Sequence, residues 1–99
     1  MSFVTTQPEA LSAAGTSLAG IGTMMSAQNA AAAAPTTSVL PAGTDEVSAL
    51  TATQFAVHAR MYQAVSAQAE EIHTQLVSTL TASATWYAVT EAANATAAC

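Results

Sequence analysis

Few side chains in this 99-residue chain are suited to making or breaking bonds, and their spacing argues against it. His58 and His73 stand fifteen residues apart, without the His-Glu-x-x-His spacing that sets two imidazoles on one helical face as metal ligands. Glu70 and Glu71 are neighbours, so on a helix they diverge by about 100° and cannot face each other as acid and base. A solvated face accounts for them. Gly15-Thr16-Ser17-Leu18-Ala19 approaches a nucleophile turn only loosely: the second glycine is missing and no strand precedes it. Cys99 would need a base held beside it at a chain terminus. That leaves Tyr87 and Glu91, four residues apart in a stretch otherwise built of Ala, Thr, Asn and Val. On a helix such a pair lies on one face and offers a phenol and a carboxylate together. The pair is equally consistent with an address recognised from outside and with a tyrosine capping a core beside a solubilising acid. No catalytic residue, cofactor site or metal site is expected.

Composition removes other classes. The chain is 52% hydrophobic and 7% charged, with Arg60 as its only strong base and a net charge of -5. A single arginine cannot neutralise a run of phosphates, which excludes nucleic acid and an anionic membrane surface as partners. The longest purely apolar run, Ala30–Ala34, is far short of the roughly 18 residues of a membrane span. No Lys or Arg precedes Arg60, so an ordinary secretory signal peptide is not expected, and export would take another route. Cys99 has no second cysteine to pair with.

The elements that must carry these residues are helical. Pro8 and Glu9 suit a first turn, because proline loses nothing there and an acid complements the helix dipole. A first helix is expected over residues 8–34, with Leu11, Leu18 and Met25 recurring every seven residues and Ala14 and Ile21 between them as an a/d seam. Pro35 should end it, and residues 35–43 have turn chemistry. Thr44 is placed to cap a second helix over residues 44–83, with Asp45 and Glu46 in its first turn. Phe55, Tyr62, Ala69 and Leu76 form one seven-residue series on it, His58, Val65 and Ile72 the adjacent one. Leu50, Val57 and Met61 mark an edge rotated away. Between Thr81 and Trp86 hydroxyl and β-branched residues lower helix propensity, so the helix should fray there. The expected organisation is a helical hairpin domain over 1–86 and a tail over 87–99. Two helices cannot hide this many stripes, and Gly15, Gly20 and Gly22 each cost the first helix roughly 1 kcal/mol. The fold class is all-α: an antiparallel hairpin that needs two further helices to complete a four-helix bundle. Leu11, Leu18, Ile21, Met25, Phe55, Tyr62, Val65, Ile72 and Leu76 form either the hairpin core or the partner interface.

Several landmarks in order resemble one family. Met1-Ser2-Phe3-Val4 followed by Pro8-Glu9, an Ala-rich first helix, and Asp45-Glu46-Val47-Ser48 opening the second are similar to the mycobacterial PE family, named for its Pro-Glu pair. The likeness runs across the whole chain, at the size of a bare PE domain. Tyr87-Ala-Val-Thr-Glu91 is similar to the family's Tyr-x-x-x-Asp/Glu export motif.

The resemblance implies a helical hairpin that pairs one-to-one with a PPE-family protein. It also implies export of the folded pair by a type VII (ESX) secretion system, with Tyr87 and Glu91 as the signal. A Trp-x-Gly turn from the partner completes that signal; Trp86-Tyr87-Ala88 lacks the glycine and is not that element. The family's system-specific chaperone would hold mainly the PPE subunit, and the fifth ESX system is the family prior. The product would be secreted or held at the cell surface. Two rivals stand beside this: a membrane-associated or pore component of the outer membrane after export, and a self-paired helical adaptor. Trp86 and Cys99 have no assigned role.

Overall fold

The computed structural model describes residues 4–99, and among them the protein is all-helical: α1 runs Pro8–Thr37 and α2 runs Glu46–Ala97. Residues 38–45 connect them. The chain forms two packed units, each an antiparallel pairing of α1 with α2. One contains the described residues up to Gly22 together with His73–Cys99; the other contains Thr23–Ile72.

Both helices are longer than the sequence suggests. Pro35 does not stop α1 but sits in its last turn. The two threonines after it explain why: Thr36 Oγ1 donates to Ala32 O at 2.6 Å and Thr37 Oγ1 to Ala33 O at 2.7 Å, while Ser38 N–H reaches Ala34 O at 3.1 Å. The Ser38 N–H satisfies a carbonyl that the helix end leaves open, and the two hydroxyls add second bonds within the last turn. At the start of α2 the cap is Asp45 rather than Thr44. Its Oδ1 accepts Ser48 N–H at 2.8 Å and its Oδ2 accepts Ser48 Oγ–H at 2.8 Å. Those two bonds favour the ionised form and hold the Asp45 carboxyl below the usual range.

The expected fraying at 81–86 does not occur. Thr81 and Thr85 fold their hydroxyls back onto Val77 O and Thr81 O, at 2.9 and 3.2 Å. Such back-bonding occupies the hydroxyl without breaking the helix. Ala84 is buried there, and alanines carry the helix onward to Ala97. Local propensity was outweighed by packing and by alanine, so 87–97 is helix and not an irregular tail.

What the helices bury is unusual. Among the described residues the buried apolar side chains are Ala52, Ala56, Ala59 and Ala84, joined by Gly15 of α1. Along α2 one row of less exposed positions runs Ala52, Ala56, Ala59, Gln63, Ser66, Glu70, His73, Val77, Leu80 and Ala84, and Glu91 continues the series. Those steps alternate four and three, the heptad seam of a packed helix. In α1 the matching row is Leu11, Gly15, Leu18, Gly22, Ser26 and Asn29. Of the expected α1 seam, Leu11 and Leu18 lie on this row, whereas Ala14, Ile21 and Met25 are exposed. Glycine at those turns of the seam lets the facing side chain come close. A Cβ on Gly15 would stand 3.2 Å from Thr81 Oγ1, and one on Gly22 only 2.7 Å from the His73 ring.

Candidate functional site

The seam is polar as well as small, so specific hydrogen bonds set its register. In the unit built on Thr23–Ile72, Tyr62 Oη donates to Asn29 Oδ1 at 2.8 Å and Gln63 Nε2 to Asn29 O at 3.1 Å. Ser26 Oγ donates to Glu70 Oε2 at 3.4 Å. Glu70 thus belongs to the seam, while Glu71 beside it is exposed. In the other unit His73 Nε2 meets Leu18 O at 2.6 Å. A carbonyl oxygen only accepts, so the ring carries its proton on Nε2.

Large apolar side chains occupy a different row. Phe55, His58, Tyr62, Val65, Ala69, Ile72, Leu76 and Trp86 lie one position before the seam residues of α2, about 100° around the helix. Their exposure is high: Phe55 60%, Val65 64%, Ile72 66% and Trp86 73%. Ile21 and Met25 stand one position before the seam of α1 and are also exposed. Because the helices run antiparallel, stepping back one residue turns both outer rows toward the same side within each unit. The opposite flank carries Ser12, Thr16, Thr53, Arg60, Glu71, Ser78 and Thr85, with Val57 its large apolar residue. Leu50 and Met61 are exposed beyond that flank.

Tyr87 and Glu91 continue the seam register, placing them on the same face of α2. Tyr87 is 47% exposed, whereas Glu91 is half-buried. The Glu91 carboxylate is engaged: its Oε1 accepts Thr6 N–H at 2.7 Å and Thr6 Oγ1–H at 2.9 Å. Thr6 precedes Gln7, whose carbonyl accepts the Ala10 and Leu11 N–H groups at the start of α1, at 3.0 and 3.3 Å. Pro8 and Glu9 form the first turn itself. Sequence reasoning gave no hint of Thr6, since nothing local joins residues 85 positions apart. His58 is exposed on the apolar row, and Cys99 is exposed and free. Among the described residues, no cluster of three or more His, Cys, Asp or Glu could hold a metal. No helix among them is long and apolar enough to cross a membrane.

Residues 4–94 match the sequence profile of the PE family, a span that includes Pro8, Glu9, Tyr87 and Glu91. The chain belongs to the PE family. It is 61% identical over 98 residues to the PE family protein PE13 of Mycobacterium tuberculosis, covering 99% of each chain. It is 59% identical over 95 residues to the PE-PGRS family protein PE_PGRS33 and 54% identical over 98 residues to the PE family protein PE8, both of M. tuberculosis. This PE chain spans only 20% and 36% of those two longer relatives. None of these names carries a catalytic activity.

Proposed function

We propose that this chain is a non-enzymatic PE subunit that pairs one-to-one with a PPE-family protein, completing a four-helix bundle. The pair leaves the cell through a type VII secretion system, to be secreted or held at the surface, and Tyr87 with Glu91 forms the export signal. One observation carries the pairing: the buried positions of the seam between α1 and α2 are glycine and alanine, with Leu11, Leu18, Val77 and Leu80 only partly covered, while Phe55, Tyr62, Val65, Ile72, Leu76 and Trp86 stand exposed along one flank. A helix in a pair needs one apolar row, whereas a helix in a bundle needs two, about a quarter turn apart. The α2 helix has the second row, and none of the described residues covers it. An interface of this type is obligate and mostly apolar, about 2,000–5,000 Å² in total. Trp86 extends the same row, which gives it a place against the partner.

The test is co-expression. The chain alone is expected to be insoluble, and with its PPE partner to yield a stable one-to-one complex. A soluble homodimer of the chain alone would overturn the pairing. For export, Tyr87→Ala should leave the complex assembled and block its appearance outside the cell. Normal export of that variant from an intact complex removes Tyr87 from the mechanism.

A further inference from the structure

We infer that Glu91 acts inside the molecule, as a positioning residue whose carboxylate latches the segment leading into α1 and so shapes the surface that presents Tyr87. Both donors of Thr6, its backbone N–H and its hydroxyl, converge on the single oxygen Oε1, at 2.7 and 2.9 Å. A main-chain N–H cannot rotate away from its chain, so this bond fixes the path of the backbone two residues before Pro8. Bonds to an ionised acceptor are the stronger kind. Tyr87 lies one turn earlier on the same face and is nearly half exposed, whereas the acid is half-buried and its Oε1 already holds two donors. The division of labour follows from that geometry: the phenol is offered outward and the acid holds the floor beneath it.

The functional part of this inference rests on the export reading above; the latch itself does not. The two are separated by different measurements on the full chain co-purified with its PPE partner. Amide exchange at Thr6 should quicken roughly tenfold in Glu91→Ala, the factor implied by losing one net charge-assisted bond. Unchanged exchange overturns the latch, whatever export does. Thr6→Pro removes both donors while leaving Glu91 in place, and it should lose export as Glu91→Ala does, with the complex still one-to-one. Glu91→Gln keeps an acceptor oxygen at the same reach and should keep most of its export. The opposite pattern, with Thr6→Pro exported and Glu91→Gln blocked, would mean that the negative charge is read from outside and would overturn the positioning role. Normal export of Tyr87→Ala would sink the export reading, and the exchange measurement would still decide the latch.

Discussion

Replacing Gly22 with alanine adds one carbon to α1, and the structure sets what that carbon meets. The new Cβ would stand 2.7 and 2.8 Å from two atoms of the His73 ring, inside any tolerated contact, so the ring must move. Moving it breaks the 2.6 Å bond from His73 Nε2–H to Leu18 O. That bond contributes about 1 kcal/mol net, and crowding a fitted contact costs about 1–3 kcal/mol more. Against this, alanine in a helix interior gains about 0.5–1 kcal/mol over glycine. The balance is a loss of about 1–3 kcal/mol. Gly20 provides the control, since a Cβ there meets nothing within 4 Å. Gly20→Ala should therefore stabilise by about 0.5–1 kcal/mol, so the two substitutions have opposite signs. In a His73→Ala background the obstruction is gone, and Gly22→Ala should become stabilising by about the same amount. Urea unfolding of the complex at fixed concentration, run as a double-mutant cycle, reads all of this. Equal gains from Gly20→Ala and Gly22→Ala in the wild-type background would refute the claim that His73 keys the seam.

Two further outcomes follow from the flanks and the cap. Val65→Asp places a charge in the apolar row and should weaken pairing about a hundredfold or more in a pull-down titration, through roughly 3 kcal/mol of buried, unpaired charge. Arg60→Gln on the opposite flank should leave pairing unchanged, and equal losses would mean the partner does not lie on the apolar side. Asp45 has a folded pKa below its ordinary value of 3.8, so its capping contribution is present above that value and fades as pH falls through the lower folded one. Circular dichroism between pH 6 and 2 should show a loss of α2 helicity in the wild type that is smaller in Asp45→Asn, because asparagine still caps but does not titrate. Identical pH profiles would remove Asp45 as the source.

The heptad periods of α2 were legible from Phe55, Tyr62, Ile72 and Leu76 because large apolar residues dominate any periodic count. What such a count cannot say is which row faces the neighbouring helix. Here the inward row includes Gln63, Ser66, Glu70 and His73, which look like surface when hydrophobicity is the guide. Closeness of approach, not apolar area, selects those residues. The same blindness hid Gly15 and Gly22 as seam positions, since isolated glycines count only as helix costs until their neighbours are known. Helix ends were misjudged where threonine hydroxyls mend the chain, after Pro35 and around Thr81 and Thr85. Tyr87 and Glu91 were visible as a pair, but the bond to Thr6 depends on the register of two helices.

The one-residue offset between the seam and the apolar row also limits how this chain can change length. Deleting a single residue between Val77 and Ala84 would turn everything after it by about 100°. Thr85 would enter the place built for Ala84, Trp86 would turn to the opposite flank, and Glu91 would swing away from Thr6. Seven residues restore both rows at once, provided α1 gains seven at the facing level. Length changes in these helices should therefore come as matched heptads, while residues 39–44 of the connecting segment, which belong to neither row and lie outside the Ser38 and Asp45 end contacts, can vary residue by residue.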